Sequence, residues 1–295
     1  MAINYARLPT EQNNAASRRI GEKSIRAALQ IMNREDNSVP RAVNKTLPQM
    51  EKAVKLIVSS LKNGGRLIFL GAGTSGRLGI LEAAECPPTF NTPPSLVQAY
   101  MAGGKPSVFR SKEGAEDRGQ DAAKIVRKRA RKNDVVVGIA ASGVTAFVNE
   151  GLKTARKIGA RTVLVTCHPK ISKSVADAVI AIATGPEVIA GSTRLKAGTA
   201  TKLALNSLTV VSMIQLGKVY GNRMVDLQPR SRKLEARAAN LIATLANVSP
   251  KKAEALLKAA RGNAKTAIVM AKTKQSYAAA TNLLRKNNGF LHKVI

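Results

Sequence analysis

The sequence predicts an α/β protein: a doubly wound, mainly parallel five-stranded sheet with N-terminal helices and a small C-terminal helical domain. Two observations lead to this. Five short, continuous apolar runs at 67–70, 96–97, 135–139, 162–165 and 178–182 alternate with helical stretches at 76–85, 115–132 and 145–158. Strands apolar on both faces belong to a parallel sheet covered by helices on each side. Apolar residues at helical spacing then bracket that region, before residue 64 and after residue 184.

The elements follow in order. Ile25, Leu29 and Met32 mark a helix over 18–32, and Val43, Leu47, Val54, Ile57 and Leu61 mark a second over 41–63. The second starts at Val39-Pro40 and stops at Asn63-Gly64-Gly65, both strong punctuation. The sheet occupies 64–184. A long helix at 195–217 follows, through Leu195, Leu203, Leu208 and Met213. After Asp226-Leu227-Gln228-Pro229 the pattern changes to short amphipathic helices divided at Ser249-Pro250 and Gly262-Asn263. These breaks divide the 295 residues into a domain at 1–228 and a small helical domain at 229–295.

Composition narrows the function. With 44% hydrophobic residues the chain has enough apolar surface for a sizeable core. Lysine and arginine outnumber aspartate and glutamate 48 to 18, a formal charge of +30 that allows non-specific contact with polyanions. Aromatics at 3% with no tryptophan give no stacking platform for unpaired bases, and nothing resembles a groove-reading motif. Cys86, Cys167, His168 and His292 show no CxxC or HxxxH spacing, so neither a zinc site nor a disulfide framework is expected. No signal-peptide run opens the chain and no apolar stretch reaches membrane-spanning length, which predicts a cytoplasmic protein.

The first strand runs into Gly71-Ala72-Gly73-Thr74-Ser75-Gly76-Arg77. By pattern this is GxGxxG. A dinucleotide site, however, wants an acid about 20 residues further on, and none occurs between Glu85 and Glu113. Arg77-Leu78 also stands where a Walker loop has Lys-Ser/Thr. What remains is a glycine turn that brings Gly73, Thr74 and Ser75 to a helix N-terminus, a geometry suited to one phosphate monoester. A second such turn follows the strand at 135–139: Ala140-Ala141-Ser142-Gly143-Val144-Thr145, with Ser142, Gly143 and Thr145 as candidates. Two turns at the carboxyl ends of strands in one sheet converge on a ligand crevice. A third stretch places Ser192, Thr193, Arg194 and Lys196 ahead of the long helix.

These blocks, with Glu85-Cys86-Pro87-Pro88-Thr89-Phe90, Glu113-Gly114-Ala115-Glu116-Asp117, Gly185-Pro186-Glu187 and Gly217-Lys218-Val219-Tyr220-Gly221-Asn222, occur in an order that resembles the N-acetylmuramic acid 6-phosphate etherases of the sugar isomerase (SIS) superfamily. Thr10-Glu11-Gln12 and Asn33-Arg34-Glu35-Asp36 also fit, so the resemblance covers nearly the whole chain. It implies cleavage of the D-lactyl ether of N-acetylmuramic acid 6-phosphate, an anionic amino-sugar phosphate, in peptidoglycan recycling. It further implies homodimers with sites near the subunit interface, no metal or redox cofactor, and a pair of catalytic glutamates matching Glu85 and Glu116. Chemistry independently calls for such a pair. An ether oxygen leaves readily only when protonated, and an aldehyde from the opened sugar acidifies the hydrogen on carbon 2, so one carboxylate acts as base and one carboxyl as acid. The resemblance makes Glu85 the acid and leaves Glu116 as base, although the residues alone do not order the roles.

Two departures stand out. Where the family commonly has arginine, threonine, proline and tyrosine after Ser-Gly, this chain has Val144-Thr145-Ala146-Phe147, losing an anchor for an anionic group. Pro229, Arg230 and Ser231 also replace the usual residues of their segment. Basic side chains cluster at Lys124, Arg127, Lys128, Arg129, Arg131 and Lys132, and again at Arg230, Arg232, Lys233 and Arg237, as expected of a solvated surface. The alternative function is a non-catalytic sugar-phosphate sensor, because the stretch from Gly185 to Lys202 is also similar to the glucokinase regulatory protein.

Overall fold

A computed structural model describes residues 8–227, 229 and 231–295. The opening segment at 1–7 and Arg230 of the second basic cluster lie outside the described residues. The chain divides into two compact units, Met1–Ala83 with Ser95–Thr209, and Ala84–Pro94 with Val210–Ile295.

In the first unit, 3₁₀ turns at Ala15–Ser17 and Ile20–Glu22 precede α1 (Ile25–Asp36), which Ser24 caps by accepting a hydrogen bond from Ala27 N. The helix expected over 41–63 is instead two, α2 (Val39–Asn44) and α3 (Leu47–Lys62). Pro48, at the second position of α3, has no N–H to continue a ladder from α2, so the break is where proline chemistry puts it.

The sheet then alternates with helices: β1 (Leu67–Gly71), α4 (Gly73–Phe90), β2 (Val97–Met101), the short α5 (Pro106–Phe109), α6 (Gly119–Arg129), β3 (Val135–Ile139), α7 (Ala146–Ile158), β4 (Arg161–Thr166), β5 (Ala178–Ala181) and α8 (Lys196–Ile214). Its five strands are all parallel, in the order β2-β1-β3-β4-β5. The expected doubly wound parallel sheet is therefore present. β1 and β3 are buried along their whole length, whereas edge strand β2 buries only its two ends. At the amino end, Asp134 is buried and accepts from Arg66 N, Nε and Nη2 and from Arg131 N, locking the starts of β1 and β3 together. On α6 the apolar Ala122, Ala123 and Val126 face the core, while Lys124, Arg127, Lys128 and Arg129 are exposed, a solvated basic face as expected.

The second unit has a two-residue hairpin, β6 (Val219–Tyr220) with β7 (Arg223–Met224), which the sequence did not signal. Four helices follow: α9 (Arg232–Ala246), α10 (Pro250–Ala259), α11 (Ala264–Thr273) and α12 (Tyr277–Lys286). They enclose a core that includes Leu227, Ile242, Ile268, Leu284 and Leu291. Inside it, Lys265 donates to Asp226 Oδ2 at 2.9 Å and to the carbonyls of Gly217 and Gly289. Burial pushes its ammonium below the ordinary lysine value. The boundary read after residue 228 differs from this division, because the second unit also takes the far ends of α4 and α8. A helix that begins in one unit and ends in another shows no change of periodicity where it crosses. In α4 the crossing at Ala83 and Ala84 coincides with Pro87 and Pro88, which cannot donate to those two carbonyls.

An N-terminal arm is tied across the first unit. Gly191 N donates to Thr10 O, Ser17 Oγ to Val188 O, and Asn14 Nδ2 to Pro186 O and Glu35 Oε2. Lys196, 3% exposed, donates to the same Glu35 oxygen at 2.8 Å. The hydrogen bond from Lys196 is the chief reason the Glu35 carboxyl lies below its ordinary value of 4.5. A depressed carboxylate contributes stability that is present above its unfolded pKa and lost as the pH falls through its folded one. Glu35→Gln is expected to lower the thermal midpoint at pH 7, and the deficit to close as the pH drops below about 4. A deficit of equal size at pH 7 and pH 3 contradicts this role.

Candidate active site

Because β1 and β3 pair in register, Gly71 beside Ile139, their carboxyl ends lie level. The chain leaves β1 toward β2 on one side and reaches β3 on the other, so this edge is the point where strand order reverses and ligands bind in open α/β sheets. Close packing brings α4 onto β1. A Cβ added at Gly71 would lie 2.7 Å from Gly76 N, and one at Gly76 would lie 2.6 Å from Met101 Cβ and 2.9 Å from Gly71 O. Only glycine permits that approach.

The two turns line one cavity of about 670 Å³. Gly73, Thr74 and Ser75 come from the first turn of α4, where backbone N–H groups have no partner within the helix. Ser142 and Thr145 come from the turn before α7. Ser142 Oγ accepts from Val144 N at 3.3 Å, which leaves its hydroxyl hydrogen to donate outward. Thr145 occupies the N-cap of α7 without a side-chain capping bond, so its hydroxyl is uncommitted in the helix. Two helix N-termini and four hydroxyls, of Thr74, Ser75, Ser142 and Thr145, thus line the same space, which suits a phosphate.

Glu116 also lines the cavity and is half-buried. The sequence reading put it in the first turn of a helix; α6 begins only at Gly119, and Glu116 lies in the loop before it. Its carbonyl accepts from Phe147 N at 2.9 Å, which fixes it beside the first turn of α7. Glu11, Glu113 and Asp117 share the lining, so carboxylates outnumber the cations Arg77 and Lys112 there.

Other candidates lie apart. Glu85 is exposed on α4 and outside the lining of this cavity. Of the third stretch, Thr193 lines the cavity, while Ser192, Arg194 and Lys196 do not. Lys196 is buried and ion-paired with Glu35, so it holds the N-terminal arm. Its backbone N–H and that of Ala197 donate to Glu187, which is fully buried and caps α8 from nine residues upstream. Burial pushes the Glu187 carboxyl above its ordinary value. Gly143 is buried and shapes its turn without lining the cavity. Burial likewise pushes the Cys167 thiol up to about 12, too high for a thiolate nucleophile near neutral pH. Among the described residues no cluster of His, Cys, Asp and Glu could hold a metal ion, and no helix is long and apolar enough to cross a membrane.

Sequence reasoning missed Leu8, Ser107, Ser111 and Lys112 in the lining, and quoted Glu11 and Arg77 without giving them a role there. Arg77 donates to the carbonyls of Val108 and Ser107 at 2.8 and 2.9 Å, and so pins the turn at α5.

Sheet order and crevice define the SIS-type fold. Residues 49–156 match the glucokinase regulatory protein N-terminal SIS domain. A phosphoheptose isomerase from Francisella tularensis superposes with a TM-score of 0.50 at 19% identity, over 63% of this chain and 98% of that one, a likeness of fold alone. The relatives in sequence are more specific. The N-acetylmuramic acid 6-phosphate etherase of Geobacillus thermodenitrificans is 46% identical over 98% of both chains, and that of Rhodopirellula baltica 44% over 98% of this chain and 96% of its own. The chain belongs to the N-acetylmuramic acid 6-phosphate etherase family.

Gly76→Ala is expected to destabilise the fold by about 1–3 kcal/mol, the usual cost of overpacking a tight contact. Met101→Ala should not rescue it, because alanine keeps the Cβ that the new methyl meets and the Gly71 carbonyl also remains in the way. Unchanged stability in chemical denaturation contradicts the close approach of α4 to β1.

Proposed function

We propose that the protein cleaves the D-lactyl ether of N-acetylmuramic acid 6-phosphate in the cytoplasm, giving N-acetylglucosamine 6-phosphate and D-lactate. The observation that supports this most is that both hydroxyl turns and Glu116 line one cavity in a chain related to etherases along its whole length. The phosphate sits on the turns at Gly73, Thr74, Ser75, Ser142 and Thr145. The opened sugar then presents carbon 2 to Glu116, which removes its hydrogen. The C3–O bond breaks as Glu85 donates a proton to the departing lactate oxygen. Water adds to the unsaturated aldehyde at carbon 3, restoring a hydroxyl there and the hydrogen at carbon 2, so the net change is hydrolysis.

A homodimer completes the site. Glu85 is exposed on α4, where a second subunit can reach it. In the second unit, exposed Val210 and Ile214, one turn apart on α8, form an apolar patch. The chain is expected to sediment as a dimer. Inactive Glu85→Gln and Glu116→Gln proteins, mixed and allowed to exchange subunits, are expected to regain activity. Absence of recovery, or a monomer in sedimentation, contradicts a site completed by a second subunit.

Separately, Glu85→Gln and Glu116→Gln should each lower lactate release by roughly 10²–10⁴-fold, the usual worth of positioned proton transfer. The double variant should be little worse, since both groups serve one elimination. The match to the glucokinase regulatory protein domain favours one other reading, a sensor. Wild-type protein that binds the sugar phosphate without releasing lactate would establish it.

A further inference from the structure

The connection after β2 holds an unclaimed pair of polar groups. Ser107 is 4% exposed, lines the cavity, and its Oγ has no hydrogen-bond partner. Lys112 lines the same cavity, is exposed, and makes no side-chain hydrogen bond or ion pair with the described residues. The two flank Gly103: a Cβ built there would lie 2.0 Å from Ser107 Oγ and 3.4 Å from Lys112 Cδ. With φ at +79°, Gly103 is also in a conformation other residues avoid. Arg77 holds the backbone of this turn through the carbonyls of Ser107 and Val108. The result is a held hydroxyl and an exposed ammonium packed beside a position where only glycine fits.

A buried hydroxyl without a partner is costly unless a ligand satisfies it. The ammonium indicates the charge of that ligand. Four carboxylates line the cavity, Arg77 is committed to carbonyls, and Val144 brings no charge, so Lys112 is the cation left to meet a second anion. A neighbouring cavity of about 370 Å³, also lined by Lys112, adds Arg118 and Lys124 against one acid, Asp121.

We propose that Ser107 and Lys112 form a subsite for the carboxylate of the substrate's ether arm, apart from the phosphate turns. This rests on the etherase reading and deepens it: the pair selects sugar phosphates that bear a second anion. Ser107 donates its hydroxyl hydrogen to one carboxylate oxygen, and Lys112 meets the other.

Calorimetry in the Glu116→Gln background, which holds the ether without cleaving it, tests the subsite with N-acetylmuramic acid 6-phosphate and N-acetylglucosamine 6-phosphate, because both carry the phosphate and only the first carries the carboxylate. Lys112→Met is expected to weaken the first ligand by roughly 10–100-fold, the worth of a charge-assisted hydrogen bond, and the second by less than about twofold. Ser107→Ala should weaken the first alone, by less. Lys112→Arg should retain most of the preference. Equal weakening of both ligands by Lys112→Met overturns the subsite, as does no weakening of either. Wild-type protein that releases no lactate overturns the etherase reading instead, while the binding preference still reports on the subsite. Thermal midpoints confirm that each variant is folded.

Discussion

Everything at the candidate site depends on the level pairing of β1 with β3. Both strands are wholly buried, so a shift in register would move core side chains and both turns together. The buried Asp134 fixes that register from the far end, bonding to Arg66 on the approach to β1 and to Arg131 ahead of β3. Glycines 71 and 76 then let α4 start directly above β1. With the strands level and the helix close, two helix N-termini point into one space. The cup proposed for the phosphate is a consequence of sheet geometry, completed by a few hydroxyls.

The cup alone would suit many sugar phosphates. The walls of the cavity are built from segments far apart in sequence. The loop before α6 supplies Glu116, pinned to α7 by one backbone hydrogen bond. The N-terminal arm supplies Leu8, Thr10 and Glu11, held in place through Asn14, Ser17 and the Lys196–Glu35 pair. A lysine expected to touch substrate thus serves the arm that borders it. The turn at α5 supplies Ser107, fixed by Arg77. An excess of carboxylates in a cavity proposed to receive an anion requires donors placed with some care, and these three supports place the walls.

The core of this arrangement is legible in the sequence because buried parallel strands are continuous apolar runs and glycine turns punctuate them. Edge strand β2 is less legible: Gln98 and Tyr100 interrupt its run because only one neighbour covers it. Pro48 was a readable signal for the break between α2 and α3. Ser107 and Lys112 had no signal at all, since a wall residue on an irregular loop has neither period nor motif. Glu85 shows the opposite limit. Its block resembles the family plainly, yet one chain leaves it exposed and outside the cavity lining. If Glu85 serves a partner subunit's cavity, as proposed, the surroundings of one chain carry no trace of that role.

The most direct test is a crystal structure with N-acetylglucosamine 6-phosphate bound. The phosphate is expected between the two turns, within hydrogen-bond reach of the Ser75 and Ser142 hydroxyls and of backbone N–H groups at the start of α4, with carbon 2 directed toward Glu116. A phosphate seated on Lys112 and Ser107, or outside this cavity, would contradict the account.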